Sequence, residues 1–128
     1  MHGLSNDFVI VDLRGGGVLP SAKALAALTN RKTGIGCDQF IPVLAPGDKR
    51  ADCFMRIFNA PDASEAEACG NATRCVASML MREKKTDQVV IQTLAGFLVC
   101  RARNADKTLI EVDMGVPRVE WHEIPLSE

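Results

Sequence analysis

The segment 69–85, CGNATRCVASMLMREKK, decides how this chain reads. Its length and its content of strong helix formers predict a helix. Val76, Ala77, Met79, Leu80 and Met81 spread apolar side chains around much of its circumference, and a helix apolar on nearly all sides is normally buried. Only the basic end, Arg82 to Lys85, reads as solvated.

Outward from this helix the pattern changes to strands. Immediately upstream, Asn59 to Ser64 (NAPDAS) combines Pro, Asp and Ser and reads as a loop leading into the helix. Gln39 to Leu44 and Cys53 to Phe58 are short apolar runs separated by Pro46 and Gly47, and they predict neighbouring strands, a hairpin being one way to join them. The stretch SAKALAALTNRK, starting at Ser21, offers an N-cap, good helix formers and leucines three apart, which predicts an amphipathic helix ending near Asn30. Phe8 to Leu13 is a β-branched, apolar strand that stops at the turn-forming run Gly15, Gly16, Gly17. That glycine run lacks a phosphate-binding pattern, and no helix opens from it.

Downstream, Gln88 to Thr93, Gly96 to Arg103 and Thr108 to Met114 read as antiparallel strands; Ile110, Val112 and Met114 alternate with Glu111 and Asp113, so one face is buried. The stretch Pro117 to Glu128 has no strong element of its own and reads as a linker. The expected organisation is one domain over residues 1–116, of the α+β class, followed by a linker over 117–128.

Composition narrows the function classes. A chain of 128 residues is long enough to bury a core of its own, and a formal net charge of -1 creates no field for phosphate backbones or anionic lipid. The expected partner is a small molecule, with no nucleic acid and no membrane. No apolar run nears the roughly 20 residues that span a bilayer and no secretory signal pattern opens the chain, so a cytoplasmic location is expected. The five cysteines, at 37, 53, 69, 75 and 100, form an odd number without CxxC spacing, and the histidines are His2 and His122. This supports neither a disulfide framework nor a metal site.

Cys69 stands between an acidic stretch, SEAEA, and the start of the long helix, followed by Gly70 and Asn71. A helix N-terminus carries N–H groups without intrahelical partners and a partial positive charge, which favours a thiolate and can hold a carboxylate. Gly70, having no Cβ, lets a ligand come close to the backbone. Such a segment can bind an amino acid and deprotonate it. Taken by residue type alone, a cysteine at such a helix start is more commonly a small core residue. Cys75, six positions on, lies about 9 Å along the helix axis and cannot bridge to it.

The stretches MHGLSNDF, GIGCDQ, MRIFNAPDASEAEACGNATRC and VDMGVP occur in the order and spacing of the diaminopimelate epimerase family's amino-terminal domain, which this chain resembles over nearly its whole length. The resemblance implies a mostly antiparallel sheet curled around the helix that starts near Cys69, one half of a two-domain fold. It implies Cys69 as one of two acid/base residues, Gly70 and Asn71 at the substrate's reacting end, and Asn6, Gln39 and Asn59 as hydrogen-bond partners of its polar groups. It also implies inversion of one α-carbon between LL- and meso-diaminopimelate with no cofactor and no metal, in the synthesis of lysine and peptidoglycan. Ser5 and Ala72 stand where the family commonly has glycine, and Pro61, Asp62 and Ala63 depart from its loop pattern.

A second, similar domain with the second cysteine and a few residues before Met1 are expected elements of the pattern that this sequence does not contain. Two expectations follow: the 128 residues alone turn over no substrate at a useful rate, and the face meant for the other domain drives homo-oligomer formation. Read as separate residues, Asn6 is also an ordinary turn residue, Asn59 a loop stabiliser and Gln39 an exposed strand residue. The competing functions are a related racemase or isomerase acting on another acid, a non-catalytic amino-acid-binding module, and a cysteine-based redox sensor.

Overall fold

The computed structural model describes residues 1–116, so the linker reading of 117–128 lies outside the described residues. In chain order the elements are β1 (His2–Gly3), β2 (Asn6–Asp12), α1 (Ala22–Thr29), β3 (Gln39–Leu44), β4 (Cys53–Met55), β5 (Ile57–Asn59), β6 (Glu65–Ala66), α2 (Gly70–Lys84), β7 (Gln88–Thr93), β8 (Gly96–Ala102) and β9 (Ile110–Asp113). The strands form one sheet in the order β1-β2-β3-β4-β7-β8-β9, with β5 on β3 and β6 on β5. Strands β1 and β9 at its two edges both pack against α2, so the sheet curls around that helix.

The α+β class and the curled sheet agree with expectation. Two pairings qualify its antiparallel character: β2 runs parallel to β3, and β4 parallel to β7, while the remaining pairs are antiparallel. In both parallel pairs a helix lies between the partners in sequence, α1 in the first and α2 in the second, the connection that parallel strands require.

The run 53–58 divides into β4 and β5, yet both keep one register against β3, with Leu44 opposite Phe54, Val43 opposite Met55, Phe40 opposite Phe58 and Gln39 opposite Asn59. The interruption has a local cause. Arg56 N–H donates to the Pro42 carbonyl at 3.1 Å, but proline has no N–H to return the bond.

Alternation along the strands sorts side chains onto two faces. Phe8, Ile41, Val43, Met55 and Ile57 point inward to the buried residues of α2, Ala72, Val76, Ala77, Leu80 and Met81 among them. Phe40, Phe58, Val9 and Val11 point outward and are covered by Leu25 and Leu28 of α1. Leu80 and Met81 are fully buried, and each such side chain contributes about 1.5–3 kcal/mol by leaving water. Ser21 caps α1 by accepting from the Ala24 N–H at 3.3 Å. The reading missed β1 and β6, and the first long strand starts at Asn6 rather than Phe8. Asn6 is thus a strand residue; the turn before it is Leu4 and Ser5, both left-handed at φ 49° and 70°.

Candidate active site

Three strands bring their ends to one place. β2 and β3 start there and β5 finishes there, because the first two are parallel and the third is antiparallel to β3. Asn6, Gln39 and Asn59 occupy those ends with the same parity as Phe8, Ile41 and Ile57, so all three amides sit on the inward face. Gln39 Nε2 donates to Asn59 Oδ1 at 2.8 Å, and Asn59 Nδ2 donates to Ser64 Oγ at 3.2 Å.

The N-terminus of α2 meets these ends. Cys69 is its N-cap residue, in extended conformation at φ -150°, half-buried, and it makes no side-chain cap. The first N–H groups of the helix therefore have no capping bond from the Cys69 side chain. Thr73 fixes the backbone of Cys69, its N–H and hydroxyl both donating to the Cys69 carbonyl at 2.9 and 2.8 Å. Asn71 Nδ2 donates to Asn6 Oδ1 at 2.8 Å, and Arg74 donates to Asn71 Oδ1. The Asn71 side chain thus bonds within the protein through both its nitrogen and its oxygen.

An open cleft of about 810 Å³ lies between these elements, with Asn6, Gln39, Asn59 and Cys69 in its wall. Gly70 and Asn71 do not line it; Asn71 lines a neighbouring cavity of about 690 Å³ between the start of the chain and α2. A Cβ placed on Gly70 meets no atom closer than 3.7 Å, so nothing in the described fold requires glycine there. Arg31, Lys32 and Asp38 complete the cleft's polar rim. The sequence reading missed these three; their signal was the position of RKTGIGCDQ between the end of a helix and the start of a strand.

The other cysteines are buried, Cys37 beneath the cleft that it helps to line. Burial pushes the Cys53 and Cys100 thiols up to about 12, and it also raises Cys37 and Cys75. Among the described residues no group of three His, Cys, Asp or Glu side chains is placed to hold a metal ion. No helix of the described residues is long and apolar enough to cross a membrane.

Solved structures define the class of fold. The crystal structure of a methylitaconate-delta-isomerase superposes with a TM-score of 0.61 over 78% of this chain and 55% of its own, at 16% identity. A hydroxyproline epimerase from Agrobacterium vitis superposes with a TM-score of 0.56 over 83% of this chain and 36% of its own, at 20% identity. At such identities the likeness establishes the fold alone, a fold that isomerases and epimerases use.

Sequence then gives the family. The model of the diaminopimelate epimerase family matches residues 1–120, and the chain belongs to that family. The diaminopimelate epimerase of Phenylobacterium zucineum is 50% identical over 128 residues, 100% of this chain and 44% of that protein. The enzyme of Rhodospirillum centenum is 47% identical over 127 residues, covering 99% and 43%. The chain thus spans less than half the length of these curated relatives.

Proposed function

We propose that this chain supplies one half of the active site of a diaminopimelate epimerase, an isomerase that inverts one α-carbon between the LL and meso isomers without pyridoxal phosphate or metal. The carrying observation is the placement of Cys69 at the bare N-terminus of α2, in the wall of the cleft that holds Asn6, Gln39 and Asn59.

The chemistry follows from those positions. Gly70 and Asn71 stand just behind Cys69 rather than in the cleft wall; by the family resemblance the substrate's reacting carboxylate reaches their N–H groups, where the helix dipole offsets the negative charge that grows as the α-proton leaves. The Cys69 thiolate takes that proton from one face, and its S–H bond forms as the Cα–H bond breaks. A second acid delivers a proton to the opposite face, because a single group tends to return the proton to the side it came from. In the family pattern that acid is a cysteine of a second domain, so Cys69 provides one face only. The three amides at the strand ends hydrogen-bond the substrate's polar groups.

This reading takes residues 1–116 as one domain and 117–128 as its connection to the next. It places the protein in the cytoplasm, acting on a small molecule that feeds lysine and peptidoglycan synthesis. The face of the sheet that meets a second domain also suits self-association.

The test is isomer conversion by the complete gene product, with LL-diaminopimelate, proline and 4-hydroxyproline offered separately. Conversion to the meso isomer supports the assignment. Conversion of a cyclic imino acid instead, or binding of diaminopimelate without conversion, overturns it.

A further inference from the structure

The loop that carries GIGCDQ lines the cleft through Cys37, Asp38 and Gln39, and its tight glycine turn has a construction that calls for a reason. A Cβ on Gly34 would lie 2.2 Å from the Ala27 carbonyl oxygen, so the loop is pressed onto the end of α1. Gly36 has φ +77°, and a Cβ there would lie 2.9 Å from the Cα of Arg31. Asn30 Oδ1 accepts from the N–H groups of Lys32 and Thr33 at 2.8 and 3.1 Å, closing the turn from the other side. What these features jointly hold in place is Arg31.

Arg31 reaches the residues next in sequence to two of the site amides. Its Nη1 donates to Asp7 Oδ2 at 3.0 Å and its Nη2 to Asp38 Oδ1 at 2.8 Å. Asp7 follows Asn6, and Asp38 precedes Gln39. The backbone extends the link to the third amide: Asp38 N–H donates to the Asp7 carbonyl, and Ala60 N–H, next to Asn59, donates to the Asp38 carbonyl, both at 2.9 Å. Asp7 N–H also donates to Asp38 Oδ2 at 2.8 Å. Asp7, Asp38 and Ala60 thus form the terminal rung across β2, β3 and β5, and Arg31 clamps two of its three members. The side chains of Arg31, Asp7 and Asp38 are 55%, 53% and 39% exposed, a setting in which ion pairs add little to stability. The clamp acts on geometry.

We propose that Arg31 is a positioning residue that sets the spacing of the Asn6, Gln39 and Asn59 amides, and that the Gly34-Ile35-Gly36 turn exists to present it. The proposal rests on the epimerase reading for its substrate, but its structural half stands apart from that reading. A misplacement of such groups by a fraction of an ångström weakens substrate binding without unfolding the domain.

The experiment uses the complete gene product carrying Arg31→Gln, Arg31→Lys or Gly36→Ala, with Arg103→Gln as a control that breaks the exposed Arg103–Glu111 pair far from the cleft. Three quantities are read: KM and kcat for diaminopimelate, Tm, and the side-chain amide NMR resonances of Asn6, Gln39 and Asn59 without substrate. Arg31→Gln is expected to raise KM about tenfold or more, with Tm lowered no further than in the control. It is also expected to shift the Asn6 and Gln39 resonances. Arg31→Lys recovers part of the KM, and Gly36→Ala reproduces the resonance shifts. Unmoved resonances, an unchanged KM, or a loss of activity that only follows a fall in Tm would overturn the proposal. Should the wild-type protein not act on diaminopimelate while the resonances still move, the positioning claim stands and the substrate reading falls.

Discussion

Asn71 Nδ2 donates to Asn6 Oδ1 at 2.8 Å, joining the first turn of α2 to the first residue of β2 across 65 positions of sequence. The direction of this bond is fixed from outside. Arg74 is a donor only, so the atom of Asn71 that accepts from it must be the carbonyl oxygen, which turns the Asn71 amide nitrogen toward Asn6. Asn6 spends its oxygen on that bond, and its amide N–H donates to the Asp38 carboxylate. In the second chain of amides, Gln39 donates to Asn59, which leaves the Gln39 oxygen as an acceptor.

Asn6→Asp separates the two jobs of that residue. The aspartate still accepts from Asn71, so the link to α2 survives, but the donors are gone and a negative charge stands beside Asp38 at the cleft. Hydrogen bonds to charged groups are worth about 1.5–3 kcal/mol, so kcat/KM of the complete enzyme is expected to fall roughly 10- to 100-fold. A variant with unchanged kcat/KM removes Asn6 from the site.

Thiol labelling reads the partition of the cysteines. Cys69 is half-buried, whereas Cys37, Cys53, Cys75 and Cys100 are buried with thiols raised by burial. Alkylation follows the thiolate, so one thiol is expected to react rapidly in the folded protein and the rest only in denaturant. Rapid labelling that survives Cys69→Ala contradicts this partition.

Two departures from the family pattern fall on left-handed backbone, Ser5 at φ 70° and Ala63 at φ 58°. The steric cost at such a residue is about 1–2 kcal/mol, partly offset by the extra chain entropy that glycine brings to the unfolded state. Ser5→Gly and Ala63→Gly are each expected to raise stability by about 0.5–1 kcal/mol, seen as a higher urea midpoint by circular dichroism.

Acid lowers stability through carboxylates held below their ordinary values. Burial pushes the Asp52 carboxyl up, but the hydrogen bonds from Lys84 Nζ and from the Val90 N–H outweigh it and leave it lowered. Side-chain and then backbone hydrogen bonds from Arg14 hold Asp12 at about 2. A depressed folded value means stability present above the unfolded value, near 3.9, and lost as pH falls through the folded one. The urea midpoint is therefore expected to hold from neutral pH to about 5 and to drop between about 4 and 2. Asp52→Asn should remove about 1 kcal/mol at neutral pH and flatten part of the drop; an acid profile identical to wild type contradicts the role given to Asp52.

The helices and strands of this fold are largely local facts, and the sequence displays them. Ser21 and Asn30 bracket α1 as a cap and a stop, and the apolar girdle of Val76, Leu80 and Met81 marks α2 as the buried centre. Pairing is non-local, so nothing in residues 6–12 or 39–44 reveals that those strands run parallel. The break opposite Pro42 was visible only in the partner strand's sequence, and the two-residue β1 and β6 are too short for any period to show. Around the cleft, the start of a helix at Cys69-Gly70-Asn71 was legible from residue types alone. The amides of Asn6, Gln39 and Asn59 came from resemblance, since single polar residues at strand ends carry no pattern. Arg31 was hidden because its partners, Asp7 and Asp38, lie on different strands.

The most direct measurement is deuterium uptake from solvent into the α-position of diaminopimelate by the complete gene product, with Cys69→Ala beside it. Uptake by the wild type and its loss in the variant is the expected result. Uptake that persists without Cys69, or none from folded and reduced wild-type protein, would contradict the assignment of Cys69 as the group that moves the α-proton.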